Sequence, residues 1–400
     1  MIYTLVMVDS FNKNFKLLLI SRLLQEVVFW YSIFIAFAYS INMTVEQVAL
    51  SIVAVNIGVI IFEVPSGVLA DRWSRKGTLA LAMGTLMISS VGFGLSTEAS
   101  HYIMASFLWG VFFALLSGTA EPLIYDMLKQ EGETKQYKKY LGRYHMVGTI
   151  GLIVGSIAGG IIADLLSLRS AYFLTLIPCA LSLIPLALVS EPKDHQADQN
   201  FSSWAHYGVA FKQLIANNTL LLSVLTSVLI ISAISFIFEL NQVFYFAAGL
   251  PIALYGIFNA SLQFSIGGGT WLAGQRGGKV AIIAAMSILV LLAATILFQV
   301  SLLTSALLSG IMLLLFYITT IHGHFIHDQI TSEVRSAASS MISTGGRLVF
   351  TALILLFGVI NISKNHANGF VILAVVIAVI ALLTLKNIAK LASFDKEQRS

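Results

Sequence analysis

The run Gly67-Val-Leu-Ala-Asp71-Arg72-Trp-Ser-Arg75-Lys76 connects two long apolar stretches of the chain. Gly67 allows two helices to approach closely, and Asp71 can cap the next helix or pair with a cation. The basic residues favour a position on the cytoplasmic surface of a membrane. The run therefore predicts a tight loop between two membrane-spanning helices. The alternative is an ordinary basic loop with no further role.

The composition extends this prediction to the whole chain. Of the 400 residues, 58% are hydrophobic and 10% are charged, whereas soluble proteins carry about 25% charged residues. These proportions exclude a soluble enzyme, a disordered scaffold and an extracellular disulfide module. Cys179 is the single cysteine, so no internal disulfide can form.

Twelve continuous apolar runs follow one another along the sequence. Each is long enough to cross a bilayer, which takes about 20 residues. Because backbone groups in lipid need internal partners and the runs do not alternate, we expect helices and not a barrel. The spans are placed at about 15–41, 46–69, 77–97, 102–128, 141–165, 170–190, 218–247, 252–274, 279–299, 301–326, 336–361 and 367–387.

The basic residues give these spans an orientation. All 23 Lys and Arg residues except Arg169 and Lys364 fall on one side of the predicted topology. The positive-inside rule then places both termini in the cytoplasm, which agrees with an even number of spans. The net charge of +4 thus reflects topology, and a nucleic-acid partner is not expected. The first run holds Arg22 and Glu26 and is too long for a signal peptide, so we interpret it as a span.

One long polar break divides the spans into two sets of six. It predicts an N-terminal bundle over 1–190, a cytoplasmic linker over 191–217, and a C-terminal bundle with a short tail over 218–400. Within the linker, Trp204, Tyr207, Phe211 and Leu214 recur at helical spacing. This spacing predicts a short amphipathic helix on the membrane surface, with a plain linker as the alternative.

The loop from Gly67 to Lys76 resembles the signature loop of the major facilitator superfamily (MFS). Its spacing, Gly-x3-Asp-Arg-x-x-Arg-Lys, matches between spans two and three, although Ser74 stands where the family usually has glycine. The preceding Glu63-Val-Pro65-Ser-Gly67 resembles a run of a bacterial, drug-efflux-like branch. The corresponding run Gly274-Gln-Arg276-Gly-Gly-Lys279 lacks the acid. The resemblance implies an all-α membrane protein, with two six-helix bundles related by pseudo-two-fold symmetry and working by alternating access.

The resemblance also implies a cytoplasmic charge cluster that latches one gate state. Asp71, Asp126 and Arg347 are its expected members, and the alternative is that Asp126 and Arg347 are separate interfacial charges. The predicted gate residues are Gly67, Asp71, Arg72, Arg75, Lys76, Asp126 and Arg347.

Glycines recur along the fifth predicted span. Small residues at this spacing let two helix backbones pack closely in lipid. The pattern is similar to the fifth-span motif of facilitator antiporters, although Ser156 replaces its proline, and it favours export. The glycines predicted to pack helices are Gly142, Gly151, Gly155, Gly159 and Gly160.

Four acids lie inside predicted spans: Glu26, Glu63, Glu121 and Glu239. A charged, unpaired acid at mid-bilayer costs about 2.5–3.5 kcal/mol, so each must be paired, protonated or in contact with water. Glu121 has no basic residue nearby in sequence, and we predict that it couples transport to protons. Glu26 is the second candidate, although it could instead neutralise Arg22. Glu63 is interpreted as structural.

In the superfamily, spans 1, 4, 7 and 10 line the central cavity. Besides Glu26 and Glu121, the residues that this rule assigns to the cavity are Trp30, Tyr125, Glu239, Gln242, Tyr245 and His322. An apolar wall with a few acids suits amphipathic, often cationic, molecules. The segment from His322 to Asp328 has weak metal-site spacing; a polar helix end or a pH-sensitive gate is the preferred interpretation.

Together these patterns predict a proton-coupled antiporter that exports drug-like or natural-product molecules. A proton symporter that imports a nutrient is the alternative, and a membrane receptor or an intramembrane enzyme is a remoter one. The sequence holds no nucleotide-binding or hydrolase motif, so we expect no enzyme activity, cofactor or metal. We expect a monomer in a bacterial cytoplasmic membrane, with a small molecule, protons and lipid as its partners.

Overall fold

The computed structural model describes residues 2–117, 119–192, 204–275, 279–298, 302–331, 334–360 and 367–399. All regular elements in these segments are helices, so the predicted all-α class is confirmed. Two of them are short 3-10 helices, Phe29–Ser32 and Thr134–Gln136. The α-helices are α1 (Ile2–Gln25), α2 (Phe34–Ser40), α3 (Val45–Arg72), α4 (Arg75–Leu95), α5 (Ala99–Ser117), α6 (Ala120–Gln130), α7 (Tyr137–Leu165), α8 (Leu168–Leu174), α9 (Leu176–Leu188), α10 (Trp204–Leu214), α11 (Asn218–Ala247), α12 (Ile252–Gln275), α13 (Lys279–Phe298), α14 (Leu302–Gln329), α15 (Arg335–Ile360) and α16 (Ala367–Arg399).

The helices follow the twelve predicted spans. Nine spans in the described part of the chain are long and apolar enough to cross a membrane. The first span is divided between α1, a 3-10 helix and α2; the fourth between α5 and α6; and the sixth between α8 and α9. The eighth span, α12, contains the buried polar residues Asn259 and Gln263, which lower its hydropathy. The helix predicted in the linker is present as α10.

The chain forms two compact units. The first unit comprises Met1–Gln199 and Pro251–Ala260, and the second comprises Asn200–Leu250 and Ser261–Ser400. The first boundary between the units falls within the polar break of the sequence. However, the first residues of the eighth span group with the first unit, although the sequence assigns them to the C-terminal bundle.

An aromatic cluster fills one end of the first unit. The indole of Trp30 stacks on Tyr172 with ring centroids 5.3 Å apart, and its Nε1 donates to Ser90 Oγ at 2.9 Å. Phe93 and Trp109 pack against the same indole. Aromatic pairs at these distances add about 0.5–1.5 kcal/mol each beyond area burial. The cluster therefore fixes the segment after α1 to α4, α5 and α8.

The second unit is organised around α11, which packs against α14, α15 and α16. Asn387 on α16 donates to Thr219 O at 2.9 Å and to Ser223 Oγ at 2.8 Å, which satisfies its buried amide. Phe244 stacks on Phe370 with centroids 4.1 Å apart. Polar bonds and ring contacts thus hold α16 along the full length of α11.

The linker helix α10 packs on the second unit through one face. Ala210 and Leu214 are buried, and Phe211 is exposed on the other face. Gln213 and Thr331 exchange two hydrogen bonds: Thr331 N donates to Gln213 Oε1 at 3.1 Å, and Gln213 Nε2 donates to Thr331 Oγ1 at 3.2 Å. These bonds fasten α10 to the segment that follows α14.

Candidate functional site

The loop between α3 and α4 is held by an arginine that bridges two acids. The guanidinium of Arg75 binds Asp126 on α6 through Nη1 and lies 3.4 Å from Asp71 Oδ1 through Nη2. The Arg75 side chain is 13% exposed. Because a planar guanidinium can serve two carboxylates at once, this single residue connects α3, α4 and α6.

Ser74 and Glu191 complete the same loop. Ser74 begins α4 as its N-cap, and its Oγ accepts from Gly77 N at 2.8 Å. The same hydroxyl donates to Glu191 Oε2 at 2.5 Å, and Arg75 N donates to Glu191 Oε1 at 2.6 Å. An acid at a helix N-terminus is stabilised by unpaired N–H groups and by the helix dipole. The serine at the family's glycine position therefore caps α4 and binds Glu191 in this chain.

The remaining predicted gate residues take different positions. Lys76 Nζ donates to Val189 O at 3.0 Å, next to the end of α9. Arg72 is exposed, and a Cβ at Gly67 would meet nothing within 4 Å among the described residues. The expected close helix approach at Gly67 is therefore not seen. Arg347 is part of α15 in the second unit, and the cation that joins Asp71 and Asp126 is Arg75 of their own unit.

The first span is interrupted beside Glu26. The last helical bond of α1 runs from Glu26 N to Arg22 O at 3.3 Å, and Val28 N then turns back to Glu26 O at 2.9 Å. Phe29 N finds its partner outside the span, in Thr175 Oγ1 at 3.0 Å. The helix that carries Arg22 therefore ends before Trp30, and no continuous helical face joins Arg22, Glu26 and Trp30.

The glycines of α7 pack directly on this interruption. A Cβ at Gly151 would lie 2.9 Å from Glu26 Cβ, and one at Gly155 would lie 2.7 Å from Val28 N. A Cβ at Gly159 would collide with the carbonyl of Phe29. Only glycine permits such close backbone contact in lipid. The glycines at every fourth position of α7 thus lie against the non-helical backbone that follows α1.

The two remaining glycines of the predicted packing motif, Gly142 and Gly160, have different surroundings. Gly142 faces open space: a Cβ at this position would meet nothing within 4 Å among the described residues, so it does not pack against another helix there. A Cβ at Gly160 would lie 2.9 Å from Ala253 O, within the first unit. Gly148, which the motif does not include, leaves room for the guanidinium of Arg22.

Glu26 is one half of a buried ion pair. Its Oε1 lies 2.6 Å from Arg22 Nη1, and the two side chains are only 13% and 14% exposed. The guanidinium also lies over the ring of Tyr144, 4.9 Å from its centroid. The alternative in which Glu26 neutralises Arg22 is therefore the arrangement that the structure contains.

Glu121 faces a histidine that sequence spacing does not reveal. Its Oε1 lies 3.4 Å from His145 Nε2, across the contact between α6 and α7. The two side chains are 48% and 54% exposed, and Tyr125, one turn along α6, is also exposed. The acid is thus more open to its surroundings than the sequence suggests, and its partner belongs to the next span.

The other predicted cavity residues divide by exposure. Trp30, Gln242, Tyr245 and His322 are buried inside their own units. His322 Nε2 lies 3.4 Å from Thr384 Oγ1 on α16. By contrast, Tyr125 is exposed and Glu239 is half-buried.

Glu239 and Glu63 complete the set of acids within spans. Within the described part of the second unit, no basic nitrogen lies within 4 Å of the Glu239 carboxylate. Glu63 is exposed on α3, beside Ile60 and Val64, which are exposed as well. Of the four acids, two are thus held in pairs within the first unit, and these pairs differ sharply in exposure.

A metal site is the remaining alternative for the segment from His322 to Asp328. No group of three His, Cys, Asp or Glu side chains with the arrangement of a metal site occurs among the residues that the structure describes. The run from Arg276 to Gly278 lies outside those residues, so the degenerate second copy of the signature loop has no structural description.

Sequence reasoning missed His145, Tyr144 and Glu191. His145 and Tyr144 follow the lysine-rich loop before α7, and no spacing rule links them to α6 or α1. Glu191 reads as the first residue of a linker. Its position directly after an apolar run, on the same predicted side as the start of α4, is the one signal that could have indicated a helix N-terminal partner.

The comparisons with known proteins agree with this fold. The family model described as Major Facilitator Superfamily matches residues 17–327, and the chain belongs to that family. It is therefore a multi-pass membrane protein with the MFS fold, and the family is one of membrane transporters.

Individual relatives are distant or partial. An MFS-type transporter of Bacillus subtilis (strain 168), YxaM, which is described as uncharacterized, is 32% identical over 119 residues. The match covers 30% of this chain and 29% of YxaM. A crystal structure of the nucleoside transporter NupG aligns with a TM-score of 0.71 at 14% identity, covering 95% of this chain and 98% of that one. The fucose:proton symporter FucP of E. coli aligns with a TM-score of 0.58 at 16% identity, covering 94% and 99%. These structures share the fold.

Proposed function

We propose that the chain is a proton-coupled antiporter that exports amphipathic, drug-like or natural-product molecules by alternating access. Glu121 and His145 form its coupling site, and the observation that carries the proposal is their half-exposed pairing at 3.4 Å. The protein acts as a monomer in a bacterial cytoplasmic membrane with both termini in the cytoplasm.

The chemistry of this pair suits exchange. Histidine is the side chain that most often carries protons between groups in proteins, and its protonated form, an imidazolium, is a cation that a carboxylate can bind. A cationic molecule approaching Glu121 competes with that imidazolium and with a proton for the same carboxylate. Because the pair is half-exposed, both competitors can reach it. Proton and cargo then shift the conformational equilibrium in opposite directions.

The position of His145 supports a link between this site and the rest of the unit. Helix α7 carries His145 near its start and the packing residues Gly151 and Gly155 further along. A change in the charge of the pair therefore acts on the helix that holds the interrupted first span. The antiporter-like spacing of these glycines favours export over import.

Glu26 is reassigned in this proposal to a structural role. Its ion pair with Arg22 leaves it no free charge to exchange with cargo. Glu239 takes its place as the second candidate acid, because it is half-buried and lacks a basic partner within the described part of its own unit. Tyr125 remains assigned to the cargo surface beside Glu121.

A proton symporter that imports a small metabolite is the second candidate. The likeness to a nucleoside transporter and to a fucose:proton symporter favours it at the level of the fold. It shares the pair and differs in the sign of coupling, so the direction of proton movement distinguishes the two.

Inverted membrane vesicles test the proposal with ethidium as the probe cation. After an inward-acid gradient is formed, the wild type should accumulate ethidium, and adding ethidium should dissipate the gradient. Glu121→Gln and His145→Asn should each lose most of this accumulation. Glu98→Gln and His101→Asn, which are exposed near the start of α5, serve as matched controls. Accumulation that is unchanged in Glu121→Gln would contradict the proposal. Cargo and protons moving in the same direction would favour the symporter.

A further inference from the structure

The second unit contains a small pocket that the proposed transport chemistry does not use. It measures about 170 Å³ and lies between α11, α14 and α15. A cavity of about 150 Å³ accommodates benzene, whereas drug-sized ligands need about 300 Å³ or more. The pocket therefore fits a ligand of roughly ten non-hydrogen atoms. The lining includes Ser227, His327, Ala338 and the isoleucines 231, 326, 330 and 342.

The pocket has an apolar wall and one unsatisfied buried hydroxyl. Four isoleucines supply most of the apolar surface. Ser227 is 4% exposed, and its Oγ has no hydrogen-bond partner among the described residues. A buried hydroxyl without a partner costs about 1–3 kcal/mol, and a ligand acceptor at this position would remove that cost.

The charges around the pocket favour an anion. Among the residues that the structure describes, no acid lines the pocket, whereas His327 does. Arg335, at the start of α15, and His324 lie close enough to His327 to interact with it electrostatically. Asp328 follows His327 in sequence but does not line the pocket. A carboxylate beside His327 and Ser227 would thus meet hydrogen-bond donors and a basic surrounding.

We propose that this pocket binds a compact monocarboxylate with an apolar aromatic or branched body. The carboxylate lies towards His327 and Ser227, and the body fills the space between the isoleucines. Such a ligand contacts three helices of one unit. Its binding therefore favours the arrangement of α14 against α11 and α15 that forms the pocket.

The probe for the test is 4-fluorobenzoate, observed by fluorine NMR with the purified full-length protein in lipid nanodiscs. Saturable line broadening beyond that of empty nanodiscs is expected. The neutral 4-fluorobenzamide and the cationic 4-fluorobenzylamine should bind at least tenfold more weakly. If either binds as well as the acid, the assignment to carboxylates is wrong.

Two variants locate the binding. Ala338→Phe fills the pocket and should abolish saturable broadening, and Ser227→Ala should weaken binding several-fold with almost no change in volume. Leu225→Phe, on the exposed side of α11, should bind like the wild type. If Ala338→Phe fails to fold, as judged by its size-exclusion profile, Ser227→Ala decides the result. Unchanged binding in Ser227→Ala and in any folded filling variant, or no saturable binding by the wild type, overturns the proposal. Ethidium transport is a separate readout, so failure here leaves the Glu121–His145 proposal standing.

Discussion

The backbone N–H of Arg75 donates to Oε1 of Glu191 at 2.6 Å, which places an acid from beyond the sixth span on the first turn of α4. The side chain of the same arginine reaches Asp126 on α6. One residue thus joins the loop after α3 to two other parts of the first unit. A movement of α4 away from the segment that follows α9 would break the bond to Glu191.

Replacing Glu191 by Gln should lower the thermal stability of the protein modestly. The amide keeps an acceptor for Arg75 N but loses the charge at the helix N-terminus, which is worth about 0.3–1 kcal/mol. Thermal unfolding in detergent should show a fall of the midpoint, and the fall should shrink at high salt. Glu98→Gln, on an exposed residue, should leave the midpoint unchanged. An equal midpoint for Glu191→Gln and the wild type would show that the contact contributes nothing.

Substitution of Arg75 by Lys should destabilise the first unit by about 1–3 kcal/mol. A lysine cannot serve Asp71 and Asp126 together, and the loss stays below the roughly 3–5 kcal/mol of a fully buried pair because both acids keep some contact with water. A double-mutant cycle of Arg75→Lys with Asp126→Asn, followed by chemical unfolding, should give a coupling energy above about 0.5 kcal/mol. Arg72→Lys is the control, since Arg72 is exposed. Additive effects in the cycle would argue against the bridge.

Gly155→Val should disrupt the packing of α7 on the first span, whereas Gly142→Val should be tolerated. A side chain at position 155 collides with the backbone at Val28, but one at 142 meets open space. Forced overpacking costs about 1–3 kcal/mol or more, so Gly155→Val should unfold at lower temperature and give less folded protein. Removal of a helical glycine at position 142 should be neutral or slightly stabilising. The reverse order of stability would contradict the observed contact.

Glu26→Gln should reduce stability while leaving the pH dependence of transport intact. It leaves Arg22 without its buried carboxylate, which costs up to about 3–5 kcal/mol. The double variant Arg22→Gln/Glu26→Gln should recover part of the lost stability. Ethidium transport measured from pH 6 to 8 should scale with the amount of folded protein and keep its profile. A shifted or flattened profile would return Glu26 to the coupling site.

Much of the fold can be predicted from the sequence, because the length and hydropathy of an apolar run indicate a membrane-spanning helix. The apolar runs gave the spans, and the spacing from Gly67 to Lys76 indicated the family. The interruption after Glu26 could not be found in this way, since Val27 and Val28 continue an apolar run. It depends on a distant donor partner, Thr175, and on glycines in another helix.

Only the acid of the candidate site can be predicted from the sequence, because its partner comes from another helix. Intramembrane acids stand out in a chain with so few charges, and this makes Glu121 a candidate from the sequence alone. Its partner His145 comes 24 positions later and meets it only because α6 and α7 pack together. The span in which Trp30 lies predicts that its side chain lines the cavity. In the structure the side chain is buried in the aromatic cluster. Which side of a helix faces the core is set by packing that a single sequence does not record.

Proton release upon cargo binding tests the coupling site most directly. Purified protein in weakly buffered detergent solution, with a pH-sensitive dye, is mixed with tetraphenylphosphonium near neutral pH. The wild type should release protons in a saturable manner, because the cation displaces a proton from the Glu121–His145 pair. Glu121→Gln should release none, whereas Glu98→Gln should behave like the wild type. Undiminished proton release by a folded Glu121→Gln variant would contradict the proposed mechanism.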